Sequence, residues 1–139
     1  MTGELLINGK DAWNEWGVNM GDGFLSSIDA FVPMKDYIEN EERSQDGKSV
    51  MLSHRRVASR EITLKFTIMG ENEEDFRDKR RRFEIVLQSG FVNVQIPQLG
   101  YTTYRLVYLG KNVAYAMNRA RTFCTISAKF EEPNPSNRG

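Results

Sequence analysis

In Glu61–Ile68 the apolar residues Ile62, Leu64, Phe66 and Ile68 alternate without exception with Glu61, Thr63, Lys65 and Thr67. A period of two puts successive side chains on opposite faces, so this segment is a strand with one buried and one wet face. Gly70 ends it, and the period then changes. Over 72–88, Phe76, Phe83, Val86 and Leu87 fall on one stripe of a helix. Asn72 is placed to accept from the free amides of the first turn, where Glu73, Glu74 and Asp75 also suit the dipole. Ser89-Gly90 supplies the stop. Strand and helix together predict a sheet with one wet face and a helix of about four turns on the other.

Further strands follow. Phe91–Ile96 alternates with Val92, Val94 and Ile96 on one side until Pro97, and Tyr101–Leu109 carries apolar residues on both faces. Gly110-Lys-Asn112 is a turn, and a last strand is expected from about Arg119 to Phe130, with Cys124, Ile126, Ala128 and Phe130 alternating. At the start, Asn8-Gly9 suits the positive φ of a tight turn and predicts a first hairpin. A short helix fits Phe24–Phe31, but the chain from Gly17 to Val50 has little periodicity. With 139 residues there is room for about one domain. The expected fold is α+β, mainly β: an antiparallel sandwich or partly closed barrel with one flanking helix at about 72–88. The domain spans 1–131, with a long loop or arm at about 31–50 and a flexible tail over 132–139.

Little here points to chemistry. Nineteen Lys and Arg balance nineteen Asp and Glu, so no overall field draws the chain to nucleic acid or an anionic membrane. The single Cys124 forms no intramolecular disulfide and no thiolate cluster, and mid-strand it reads as a small hydrophobe. Gly47-Lys48-Ser49 lacks the earlier glycine of a phosphate loop, having Glu42 there instead. His54 stands between no motif partners, beside Arg55 and Arg56, and reads as a surface residue. The carboxylates do not follow the spacing of a calcium loop. No catalytic residue, metal or cofactor is therefore expected. No signal peptide opens the sequence and no apolar run approaches the roughly 18 residues of a membrane span, so synthesis in a cytoplasm is expected.

Charge is unevenly placed. From Asp36 to Asp46 the acids Asp36, Glu39, Glu41, Glu42 and Asp46 face only Arg43, a local charge of −4. From Arg77 to Arg82 five bases face only Asp78, a local charge of +4. Ile85 lies half a turn from the Phe76 stripe and should be exposed beside that basic run. Opposed patches on one chain suit a head-to-tail contact between copies. The expected subunit interface is Tyr37, Glu41 and Glu42 against Arg81, Arg82 and Ile85. The alternative is a small non-catalytic module that contacts nucleic acid or protein through the Arg-rich helix, with nucleic acid the weaker case because an acidic turn adjoins the bases.

Several segments, in order, resemble the N-terminal ring-forming domain of bacteriophage distal tail proteins. They are Leu6-Ile-Asn-Gly-Lys-Asp11 with Gly17-Val18, Met34–Asn40 leading to Asp46-Gly47, Arg60–Gly70 followed by the helix, and Arg121–Pro135 with its acidic-proline exit. The resemblance implies a tail-tube-like β fold whose copies form a ring joining tail tube to baseplate hub or tip. It implies as partners the chain itself, with a hexamer one candidate ring, and the tube, hub and tape-measure proteins. The implied location is the virion tail, after synthesis in bacterial cytoplasm. Many distal tail proteins continue, past the point corresponding to residue 139, into a second domain that can carry host-binding elements. A short tail-tube-like or baseplate ring protein of a phage or prophage fits the same residues.

Overall fold

Asn8 and Gly9 both take positive φ, 53° and 80°, the backbone that a two-residue hairpin turn demands. They join β1 (Leu6–Ile7) to β2 (Lys10–Asp11). The Asn8 side chain accepts from the backbone N–H of Asn93 at 2.8 Å and so ties the hairpin to a distant strand. The computed structural model describes residues 2–34, 57–100 and 102–138, together with the backbone at 39–40 and 49–50. Asp11 caps α1 (Ala12–Trp16) by accepting from Asn14 N at 2.9 Å. Then come β3 (Val18–Met20) and α2 (Phe24–Ile28). The strands β4 (Glu39–Asn40) and β5 (Ser49–Val50) pair antiparallel with each other, apart from the main sheet.

The strand expected at 61–68 is β6 (Arg60–Met69), with Ile62, Leu64, Phe66 and Ile68 buried. The helix expected at 72–88 is α3 (Glu73–Gln88), where Asn72 accepts from Asp75 N at 2.8 Å. Phe76, Phe83 and Leu87 are its buried stripe. Gly70 is obligatory between them: a Cβ there would come within 2.5 Å of the Phe76 backbone. The chain continues through β7 (Phe91–Gln95), a 3₁₀ turn at Pro97–Leu99, β8 (Thr103–Tyr108), β9 (Ala114–Met117) and β10 (Phe123–Glu132).

One eight-stranded antiparallel sheet results, in the order β2-β1-β7-β8-β10-β6-β3, with β9 also on β10. It curls into a half-barrel around its dry face, so the partly closed barrel is formed among the described residues rather than two facing sheets. The inner face meets α3 and α2 in an aromatic cluster centred on Phe66. Its ring lies 5.1 Å from Phe24, 5.3 Å from Phe83 and 5.9 Å from Phe130, in edge-to-face geometry. This one ring connects both helices with two strands.

The structure departs from the expectations in four places. The long flanking helix and the short helix expected at Phe24–Phe31, which is α2 and stops at Ile28, are joined by α1, one turn or so long and too short to show a period. A strand, β9, occupies 114–117, where none was expected. The last strand begins at Phe123, because an Asn118-centred turn occupies 118–122, and it runs on to Glu132. Finally, residues 132–138 are not a loose end: Glu132 is fully buried, Thr103 N donates to Arg138 O at 2.9 Å, and the Arg138 side chain pairs with Glu132. Burial of one carboxylate on paired guanidiniums outweighs the polar composition of that segment. Most of the 31–50 arm, with Tyr37, Glu41 and Glu42, lies outside the described residues, as does His54.

Candidate interaction surface

A helix of 16 residues that buries one stripe must show the opposite one to solvent. On α3 that outer ridge carries Glu74, Asp78, Arg81 and Ile85, spaced three or four residues apart. Ile85 is 58% exposed, as its place on the wheel requires. Arg81, one turn earlier, is its neighbour, and Arg82 lies on the flank. The structure thus gathers Arg81, Arg82 and Ile85 on one exposed surface, while their expected counterparts fall outside the described residues.

The basic run is less free than its sequence suggests. Lys79 pairs with Asp75 at 3.0 Å, Arg80 with Glu84 at 3.5 Å and Arg82 with Asp78 at 3.0 Å, each four residues apart. Among the described residues Arg77 and Arg81 have no ion pair. Asp75 is held below the usual carboxylate range, first by the backbone N–H of Glu71 and then by Lys79. Across α3 five acids stand with five bases, so the helix as a whole is neutral.

Beside α3 lies β9, all four of whose residues are exposed. It is bonded only to β10, so its other edge presents unpaired backbone groups among the described residues. Two contacts hold the β9–β10 hairpin over the helix. The Arg80 guanidinium sits 5.1 Å from the centre of the Tyr115 ring, and Arg121 in the turn pairs with Glu73 at 3.0 Å. A cleft of about 80 Å³ remains between them, lined by Phe83, Leu87, Tyr108, Val113, Tyr115 and Ile126 among others. Val113, Tyr115 and Met117 are exposed apolar residues along this flank. The signal for β9 was its position between two turns at Gly110–Asn112 and 118–122; Ala114-Tyr-Ala-Met117 has apolar residues throughout and no alternation to read.

Cys124 is buried, and burial pushes its thiol up, away from the reactive thiolate. No group of three or more His, Cys, Asp or Glu among the described residues is placed to hold a metal ion. No described helix is long and apolar enough to cross a membrane.

No model of a known protein family matches the sequence, and no curated protein matches it significantly. A solved structure does match the fold: the Dit protein of bacteriophage SPP1, described as a paradigm of the hub adsorption apparatus in phages that infect Gram-positive hosts. The TM-score is 0.56 at 14% sequence identity, over 95% of this chain and 50% of that one. This chain therefore spans about half the length of the SPP1 protein. At that identity the likeness is one of backbone architecture, and in architecture this curled half-barrel with its helices is similar to a phage hub protein.

Proposed function

We propose that this chain is a non-catalytic structural component of a phage or prophage tail, assembled as a homo-oligomeric ring between the tail tube and the baseplate or tail tip. The observation that carries this reading is the match of 95% of the chain to the fold of the SPP1 hub protein. Its partners are other copies of itself and the adjoining tail proteins, and its location is the virion tail. A closed ring needs a heterologous contact, in which two different surfaces of identical subunits meet. The acidic segment with Tyr37, Glu41 and Glu42 on one copy and Arg81, Arg82 and Ile85 on the next supply such a pair. Charge there sets orientation and register, and Ile85 adds buried apolar area.

Light scattering over a range of protein concentrations and salt levels, with electron microscopy of the largest species, tests the reading. Rings of uniform size are expected. Arg81→Glu with Arg82→Glu should weaken assembly, and Glu41→Arg with Glu42→Arg in that background should restore part of it. A strict monomer at high concentration, absent from tail particles by mass spectrometry, would overturn the assignment. The nucleic-acid alternative is disfavoured by the three ion pairs that occupy Lys79, Arg80 and Arg82. DNA binding that weakens steeply with salt would revive it.

A further inference from the structure

The buried charges of the described chain meet at one point. Arg60 opens β6 and Glu132 closes β10, and the register places them opposite each other. They are 6% and 0% exposed. Glu132 Oε1 accepts from Arg60 Nε at 2.6 Å and from Arg138 Nη2 at 2.7 Å, while Oε2 accepts from Arg138 Nε at 2.7 Å. The Arg138 guanidinium lies 4.9 Å from the Tyr104 ring centre. Segment 133–138 is held at its end by Thr103 N, which donates to Arg138 O at 2.9 Å, and by Arg105 Nη1, which donates to Asn137 O at 2.8 Å.

Arg60 also reaches in the other direction. Its Nη2 donates to Ile28 O at 2.8 Å and its Nη1 to Ala30 O at 3.1 Å, at the end of α2. Those carbonyls begin the stem by which the chain leaves the sheet; the returning stem is tied to it by Ala58 N donating to Pro33 O at 2.8 Å and by the Met34–Val57 bridge. Arg60 therefore grips both stems. Its guanidinium is planar and moves as one rigid unit, so a shift that brings its edge square onto both oxygens of Glu132 carries Nη1 and Nη2 away from the carbonyls of α2.

We propose that residues 133–138 form a strap whose docking is relayed through Glu132 and Arg60 to the stems at 28–34 and 57–60. With the strap docked, Arg138 satisfies Oε2 and Arg60 is free to hold Ile28 O and Ala30 O. With the strap lifted, Oε2 has lost its donor inside the protein, where an unsatisfied carboxylate oxygen is costly. Arg60, whose Nε already serves Oε1, then swings its Nε–Nη2 edge onto both oxygens, the side-on geometry that guanidinium and carboxylate favour, and the swing of the rigid plane lengthens its bonds to the two carbonyls. Displacement of the strap thus loosens the stems at 28–34 and 57–60. This relay lies within one chain and is independent of ring formation.

Amide hydrogen exchange of the full chain, followed by mass spectrometry, tests it. Arg138→Ala should accelerate exchange about tenfold in peptides covering 28–34 and 57–60 while leaving α3 and β7 as in the parent. In an Arg60→Lys background, which lacks the fork, adding Arg138→Ala should change the stems no further. Acceleration confined to 102–105 and 133–138 would overturn the relay. So would a uniform acceleration that includes α3, or stem effects of the two substitutions that simply add.

Discussion

The ion pairs on α3 and the cluster around Glu132 use the same side chains and comparable distances, yet they do opposite things for this fold. Arg82 and Asp78 meet at 3.0 Å with side chains 44% and 59% exposed, four residues apart on one helix. Water already solvates both, so the contact replaces little and salt screens it. Arg60 and Glu132 meet at 2.6 Å with side chains 4% and 1% exposed, and they lie 72 residues apart in sequence. Neither has water to fall back on, so Glu132 depends on Arg60 and Arg138, and Arg60 on Glu132 and the carbonyls of Ile28 and Ala30. Exposed pairs decorate a helix that its apolar stripe already holds. The buried cluster ties segment 133–138 to the stems at 28–34 and 57–60.

Two substitutions share the largest expected effect. Glu132→Ala should cost about 3–5 kcal/mol, because it strands two guanidiniums, one of them buried. Phe83→Ala should cost about 3–5 kcal/mol as well, since its ring packs at 5.3 Å on Phe66 and 5.9 Å on Trp16. Chemical denaturation measures both. A Glu132→Ala loss below about 1 kcal/mol would place that cluster in the same class as the α3 pairs and erase the contrast.

The contrast also has a pH signature. Burial pushes the Glu132 carboxyl up, but hydrogen bonds and charge from Arg138 and Arg60 pull it down further, so it titrates below its ordinary 4.5. Arg60, Arg138, Tyr104 and Asp29 are the groups that act in this neighbourhood. A carboxyl lowered by folding contributes stability that is complete above the unfolded value and lost as pH falls through the folded one. The protein should therefore lose stability as pH drops below about 4.5, and Glu132→Gln should flatten that slope. Asp75 is lowered too and contributes with the same sign, so the flattening should be partial. Denaturation midpoints at pH 3 to 7 provide the measurement; an unchanged acid slope in Glu132→Gln would mean Glu132 is not the group lost.

Arg138→Ala comes next, at about 1.5–3 kcal/mol for hydrogen bonds to a charged partner. Its side chain is 24% exposed, so water recovers part of the loss and the lower end of that range is expected. A cost equal to that of Glu132→Ala would show that the strap carries the whole cluster.

Legibility follows the same division. What depends on neighbours in sequence could be read: the alternation in β6, the Asn72 cap, the stripe of Phe76, Phe83 and Leu87 with Val86 half-buried at its edge, and the exposure of Ile85 are all set within a few residues. What depends on partners far along the chain could not. Glu131-Glu132-Pro133 reads as a polar exit because nothing within it announces Arg60. The local charge of +4 between Arg77 and Arg82 counted bases and omitted Asp75 and Glu84, which lie just beyond the window and pair with Lys79 and Arg80. Of the expected interface, Ile85 was legible from helix geometry, whereas the proposed role of Tyr37, Glu41 and Glu42 rests on composition alone.

The smallest effect is the sharpest test of the exposed half of the comparison. Asp78 and Arg82 are solvated, i,i+4 partners on a helix held by Phe76 and Phe83, and each long side chain must be immobilised to meet the other. A double-mutant cycle of Asp78→Ala and Arg82→Ala should yield a coupling of about 0.3–0.5 kcal/mol, and single losses should stay near 0.5 kcal/mol. Asp78 precedes Arg82, the orientation that suits the helix dipole, so the coupling should be favourable in sign. Raising salt to about 1 M shortens the screening length to about 3 Å and should remove most of it. The same salt should leave the Glu132 cluster nearly untouched, because no ion reaches a carboxylate with 0% exposure. A coupling above about 1 kcal/mol that survives salt would mean this surface is not simply wet. It would then have to be desolvated by something, and Ile85 at its edge would mark where that partner sits.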